Sequence, residues 1–192
     1  MKEYIRTIGV DDAAFDRAKS RKAFVFGVIV RGNSIIEGIL RTEVTVDGLD
    51  ATEKISLMIK NSKFCPQLKA IFLASSTIAA FNIIDLHRLS NETHIPVVTI
   101  LKKKPDNNIV RKALAHLDDG EKRFQILMNN PSFEAVKVNI NDRNCNIYIQ
   151  RVNISYLELQ KLIKLSTKTS CIPESLRIAD MIGKTFAEYI IH

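Results

Sequence analysis

Carboxylates placed at strand ends are the groups in this chain that could do chemistry. An apolar run, Tyr4-Ile5-Arg6-Thr7-Ile8-Gly9-Val10, stops on Asp11 and Asp12. That pattern predicts a buried strand delivering two acids to the edge of a sheet. Two adjacent carboxylates are costly unless a cation, a basic partner or water takes up their charge. The plainer alternative is a solvated turn, with Asp12 or Asp16 capping a short helix. A second acidic group, Asp47, Asp50 and Glu53, closes the third predicted strand and opens a helix. There Asp50-Ala51-Thr52-Glu53 also has the spacing of a capping box. Basic clusters stand beside both ends of this pattern. Arg17, Lys19, Arg21 and Lys22 follow the Asp11-Asp12 turn, and Lys102-Lys103-Lys104 follow a later strand. Loops after strands are where phosphates meet α/β proteins; solvated loops are the alternative for each cluster taken alone.

Composition sets limits on the elements that carry these residues. The chain has 192 residues, 46% of them hydrophobic and 26% charged, with a formal net charge of +7. One domain spanning residues 1–192 with a real core is expected. The charge is compatible with nucleic acid. No apolar window approaches a membrane span and no apolar signal region opens the chain, so no membrane partner is expected. Cys65, Cys145 and Cys171 lack CxxC spacing and read as buried or free thiols in a reducing, cytoplasmic setting. His87, His94, His116 and His192 form no metal-ligand motif.

Ala23 to Val30 is a continuous apolar run and predicts a central strand. Arg31-Gly32-Asn33-Ser34 is a turn by composition, and Ile35 to Val46 predicts a third strand paired antiparallel with the second. A helix carrying Ile55, Met58 and Ile59 follows. Lys69 to Leu73 predicts a fourth strand, Ile78 to Leu89 a helix and Pro96 to Leu101 a fifth strand. Asp106 to Leu117 and Glu121 to Met128 predict helices broken at Asp118-Asp119-Gly120. Short strands at Val136–Ile140 and Asn146–Gln150 flank a turn at Asn141-Asp142-Arg143-Asn144. Helices at Ser155–Ser166 and from Pro173 to about Tyr189 end the chain.

Three strands without a helix, then helix, strand, helix, strand, helix, is a meander extended by right-handed crossovers. The order predicts a mixed five-stranded sheet with helices on both faces and a C-terminal extension of short strands and helices. It is the order of the ribonuclease H-like fold. The ends of strands one and four then lie side by side, where two-metal nucleases hold cations with carboxylates.

Gly9-Val10-Asp11-Asp12, Thr45 to Thr52, Ala80 to Asp85, Pro96-Val97-Val98, Lys104-Pro105-Asp106 and Pro173 to Asp180 occur in that order. Together they resemble the archaeal endonuclease dU family, a distant relative of endonuclease V, over nearly the whole chain. The octapeptide from Thr45 to Thr52 is the most specific piece. The resemblance implies a metal-dependent endonuclease acting on DNA with deaminated bases, uracil in particular, and using Mg²⁺ or Mn²⁺. It implies Asp11, Asp12, Asp47 and Asp50 as metal-site acids, with Asp11, Asp50 and Glu53 as catalytic candidates. Lys102, Lys103, Lys104 and Asn82 are the nucleic-acid-binding candidates.

One departure bears on all of this. The family usually reads Leu-Asp-Gly-Ile-Thr at the end of the fourth strand, then Ala-Gly-Phe-Asn. This chain reads Leu73-Ala74-Ser75-Ser76-Thr77 and later Ala79-Ala80-Phe81-Asn82. Ala74 stands where a metal-binding Asp is expected, and Ala80 where a Gly would be less crowded. Asp12, Asp85 or water substitutes for the missing oxygen, or metal is held poorly. The late stretch Gln150-Arg151-Val152-Asn153 offers no histidine of the endonuclease V kind. The alternative function is therefore a catalytically inactive nucleic-acid-binding or interaction protein of the same fold. A different enzyme class built on Asp47 and Asp50 is a third reading.

Overall fold

A computed structural model describes residues 4–140 and 143–188. β1 (Arg6–Asp12), β2 (Lys22–Arg31) and β3 (Ile35–Thr45) form an antiparallel meander. β2 is buried along nearly its whole length, as its unbroken apolar run requires of a strand covered on both faces. α1 (Ala51–Lys60) leads to β4 (Leu68–Leu73), which runs parallel to β1. Two short strands, β5 (Thr77–Ile78) and β6 (Asn82–Ile83), make a separate hairpin before α2 (Leu86–Thr93). β7 (Val97–Leu101) lies parallel to β4. α3 (Asn107–Leu114) and α4 (Gly120–Asn129) follow, then β8 (Glu134–Ile140) and β9 (Arg143–Val152). α5 (Tyr156–Ser166) and α6 (Glu174–Glu188) complete the order.

The main sheet has seven strands in the order β3-β2-β1-β4-β7-β9-β8. Its first five are those expected. The C-terminal strands do not form an extension of their own. β9 pairs antiparallel with β7 from Val97↔Val152 to Leu101↔Tyr148 and carries β8 outward as the new edge. An apolar β7 left open at the edge would expose its backbone groups, and β9 satisfies them.

Two cores sandwich this sheet. On one face Ile8, Val10, Ile71 and Leu73 pack against Ile55 and Ile59 of α1 and Leu86 and Leu89 of α2. On the other, Ala70, Phe72 and Val98 meet Leu159, Leu162 and Ile163 of α5 and Leu176 of α6. Among the described residues no helix is long and apolar enough to cross a membrane.

Four sequence expectations change. The helix expected over 78–89 is a hairpin plus a shorter helix. Ala79 and Ala80 take the left-handed conformation, at φ 47° and 67°, and turn the chain back before Asn82. The Asp50 side chain makes no capping hydrogen bond to α1. Instead the Asn82 Oδ1 accepts from the Ala51 N–H at 3.0 Å, leaving Asp50 free for other partners. Cys145 and Cys171 are joined as a disulfide, with their Cα atoms 5.8 Å apart, rather than standing as thiols; Cys65 is free. The sheet gains β8 and β9, as above. The turn expected over 141–144 and the helix end near Tyr189 fall partly on residues 141, 142 and 189, which lie outside the described residues.

Candidate active site

β1, β4 and β7 run in the same direction, so their carboxyl ends share one edge of the sheet. β1 ends there on Asp11 and Asp12, β4 on Leu73 followed by Ala74, and β7 on Leu101 followed by the exposed Lys102, Lys103 and Lys104. Val10 pairs with Leu73, so Asp11 and Ala74 are the next residues along neighbouring strands. Strand alternation puts them on one face as well. Thr7 and Gly9 touch α6, Ala70 and Phe72 belong to the core under α5 and α6, and Asp11 and Ala74 continue those two rows. A carboxylate at position 74 would therefore stand beside Asp11.

α6 adds an acid to this edge. It lies directly on β1 because two positions carry no side chain. A Cβ on Gly9 would meet the Leu176 backbone nitrogen at 2.1 Å, and a Cβ on Gly183 would meet the Asp12 carbonyl oxygen at 2.3 Å. The buried Thr7 and Ser175 hydroxyls hydrogen-bond at 3.2 Å across the same seam. Between the two contacts sits Asp180, close enough for its charge to act on Asp11. Its carboxylate accepts from the Lys184 ammonium at 2.7 Å, one turn further along α6.

The electrostatics follow from this crowding. Burial pushes the Asp11 carboxyl up to about 7, with the charges of Asp12 and Asp180 adding to it. Burial also raises Asp12, against the hydrogen bond from the Ala79 N–H, which it accepts at 2.7 Å. The Asp12 N–H donates to the Asp11 carboxyl at 3.0 Å. No arginine or lysine ion-pairs with either among the described residues.

The second acidic group is built differently. Asp47 accepts from the Phe81 N–H and from Arg17 Nε, each at 3.0 Å, and Arg17 also lies over the Phe81 ring at 4.7 Å. Asp50 accepts from the Thr45 hydroxyl at 2.9 Å and from the Asn82 amide at 2.6 Å. Burial raises the Asp50 carboxyl, but the bonds from Asn82 and Thr45 together outweigh it and hold the group below its ordinary value. Asn82 is fully buried and spends its amide on Ala51, Thr45 and Asp50. Glu53 is exposed in the first turn of α1.

Arg123 of α4 ties this latch together. Nearly buried at 5% exposure, it makes a two-pronged pair with Asp119 at 2.6 and 3.0 Å. It also donates to the Gly48 and Phe81 carbonyls at 2.6 and 2.7 Å. The β3–α1 turn and the β5–β6 hairpin are thereby fixed to each other and, through Ala79, to Asp12.

The structure thus brings Asp11, Asp12 and Asp180 to one strand edge and directs Asp47 and Asp50 into the latch. Among the described residues no three His, Cys, Asp or Glu side chains are set to hold a metal ion. Asp180 and Arg123 were not among the sequence candidates. Asp180 lies in the Pro173–Asp180 motif, which was the available signal; Arg123 had none.

Beside this edge a pocket of about 160 Å³ opens between the sheet, α3 and α4. Ser75, Ser76, Thr77 and Asn107 give it polar groups, and Phe124 and Phe133 give it aromatic walls.

Comparison with known proteins locates this arrangement. The family described as Endonuclease dU matches residues 3–187. A UPF0215 protein of Methanosarcina mazei is 40% identical over 184 residues, covering 95% of this chain and 91% of that protein. The crystal structure of a protein of unknown function from Archaeoglobus fulgidus superposes with a TM-score of 0.83 at 36% identity, covering 95% of this chain and 98% of that one. Endonuclease V of Ciona intestinalis, solved with a 24mer DNA containing an inosine followed by a ribo-adenosine, superposes with a TM-score of 0.65. At 13% identity, covering 97% of this chain and 87% of that one, it shares the fold, which is ribonuclease H-like.

Proposed function

Because this chain belongs to the endonuclease dU family, we propose that it is a divalent-metal-dependent endonuclease acting on DNA strands with deaminated bases, uracil above all. The observation that carries the reading is the Asp11 carboxyl. It is half-buried at the strand edge beside Asp12 and Asp180, and no Lys or Arg forms an ion pair with Asp11 itself among the described residues. The donor that meets it is the Asp12 N–H, and its carboxyl is raised first by burial and then by its acidic neighbours, an arrangement that a cation completes.

The donor set fits Mg²⁺ or Mn²⁺ in kind, since all three groups are carboxylate oxygens. Ala74 leaves the set one acid short. The three acids are not set as a ready-made cage, so Asp11 would be the direct ligand, with Asp12, Asp180 and water drawn in around the ion. When bound, it supplies positive charge at the attacking and leaving oxygens of a phosphodiester. Asp12 keeps one oxygen on the Ala79 N–H and so couples the site to the hairpin. Asp47, Asp50 and Asn82 position that hairpin from behind, and Glu53 flanks the latch on α1. Lys102, Lys103 and Lys104 contact phosphates along the same edge. The pocket after Ala74 takes the deaminated base, with Phe124 and Phe133 for its faces and Ser75 to Thr77 for its edge.

The test is strand cleavage with Mg²⁺ or Mn²⁺ on single strands and duplexes that differ only in uracil or thymine at one position. Wild-type protein should cut the uracil strands preferentially. Asp11→Asn should lower the rate by at least about a hundredfold, the upper end of what loss of even an outer-shell metal partner costs. Equal rates for the two proteins would overturn the reading.

A second reading, a member that binds nucleic acid without cutting it, is favoured by Ala74 at the strand end. It predicts uracil-independent binding, no cleavage with either metal, and a melting temperature indifferent to both.

A further inference from the structure

The outer strand β3 and helix α1 enclose a groove that the site chemistry does not use. Its inner end is lined by Thr45 and Asp50, the same residues that latch the hairpin next to Asp12. From there it passes Lys22, Arg41 and Lys54, and continues between β3 and α1 to Asn61 and Ser62. Lys22, Arg41 and Lys54 are all exposed.

Three cations and two carboxylates line the inner part, but the carboxylates are engaged. Glu43 pairs with Lys22 at 3.6 Å, and Asp50 is turned inward to Thr45 and Asn82. Arg41 lies over the Phe24 ring at 4.9 Å, which fixes its guanidinium without neutralising it. Neither Arg41 nor Lys54 has an ion-pair partner among the described residues. Arg21, Lys19 and Arg17 precede Lys22 in the chain and are exposed as well, and Arg17 touches the hairpin at Phe81. Arg17, Lys19 and Lys22 are paired with Asp47, Asp16 and Glu43, so Arg41 and Lys54 are the groove cations without a carboxylate partner among the described residues.

We propose that this groove binds the sugar-phosphate backbone of the nucleic-acid strand on one side of the cut, with Arg41 and Lys54 as its phosphate contacts. The proposal rests on the nuclease reading and adds a second arm opposite Lys102 to Lys104. A guanidinium held on an aromatic ring and an exposed ammonium along one groove suit successive phosphates. A second copy of the chain suits it less well. A two-fold axis centred on the groove would set Arg41 and Lys54 of one copy against the same charges of the other.

The experiment measures binding of the full chain to a labelled, uracil-containing single strand in metal-free buffer over a range of salt. Each lost phosphate contact should flatten the plot of log affinity against log salt by roughly 0.7. Arg41→Ala/Lys54→Ala should therefore flatten it by about 1.4, and the charge-keeping Arg41→Lys/Lys54→Arg should leave it near wild type. An unchanged slope in the alanine variant, while alanines at Lys102, Lys103 and Lys104 still flatten it, overturns the groove and leaves the nuclease reading standing. Wild-type protein that binds no strand at any salt overturns both. A wild-type dimer that the alanine variant converts to monomer, with slope loss tracking protein concentration, assigns the groove to self-association and overturns the proposal.

Discussion

Two acidic groups, each at the end of a strand, lead opposite lives in this molecule. Asp47 and Asp50 are met by donors: Arg17, the Phe81 N–H, the Thr45 hydroxyl and the Asn82 amide. Asp11 is met mainly by low-dielectric surroundings and then by other acids, against one bond from the Asp12 N–H, and its carboxyl is pushed up to about 7. The Asp50 carboxyl moves the other way. The same residue type, in the same sequence setting, is tied into the structure where donors meet its charge and holds a raised carboxyl where burial and acids surround it. A carboxylate's neighbours, not its place at a strand end, decide between the two.

The latch should dominate stability. Asn82→Ala removes three hydrogen bonds, one buried and two part-buried, and leaves the Ala51 N–H without its partner and Asp50 with Thr45 alone. It should cost about 3–4 kcal/mol in denaturant unfolding, with or without metal. A loss under about 1 kcal/mol would mean that the latch is not holding the two loops together.

The opposite sign is expected at Asp11. Its folded pKa lies above its ordinary value, so in the window from about 4 to about 7 the folded state binds the proton that the unfolded state has lost. Stability from this group therefore falls as pH rises through that window, and the full penalty is present above it. Asp11→Asn should stabilise the metal-free protein at pH 8 by about 1–3 kcal/mol and flatten the pH profile. Asp50, whose folded value is lowered, should instead contribute stability above the ordinary carboxylate range and lose it as pH falls through that lowered value. Urea midpoints of Asp11→Asn and Asp50→Asn across pH check the pair; a parallel response would erase the contrast.

Ala74→Asp sharpens it further. Another acid beside Asp11 should cost about 1–3 kcal/mol without metal, and metal should restore the loss by mass action. If this variant gains neither metal-dependent stability nor cleavage while the wild type cuts well, Ala74 is not at the site.

The smallest effect belongs to the hairpin. Ala80 at φ 67° occupies a left-handed position that glycine adopts without strain. Ala80→Gly should raise stability by about 0.5–1 kcal/mol, and a loss would place the strain elsewhere.

Much of this was legible in residue order. The meander, the parallel β4 and β7, and Asp11 beside Ala74 all follow from apolar runs and crossover handedness. What was not legible depends on distant partners. Ile78 to Leu89 has helical spacing, yet Asn82 bonds across 31 residues to Ala51 and pulls the segment into a hairpin. β9 joins the sheet through pairings such as Thr99↔Gln150, which local periodicity cannot encode. Asp180 looks like one half of a surface pair with Lys184 until Gly9 and Gly183 let α6 settle on β1. The Cys145–Cys171 link likewise needs β9 and the segment before α6 to meet.

The most direct test of the account is the melting temperature of wild type, Asp11→Asn and Asp50→Asn with and without Mn²⁺. A ligand at about a hundred times its Kd stabilises by about 2.7 kcal/mol, which a melting curve resolves. The account predicts that Mn²⁺ raises the melting temperature of wild type and of Asp50→Asn, from a lower start, but leaves Asp11→Asn unchanged. A full rise in Asp11→Asn, or a rise lost only in Asp50→Asn, would contradict it and move the site to the latch.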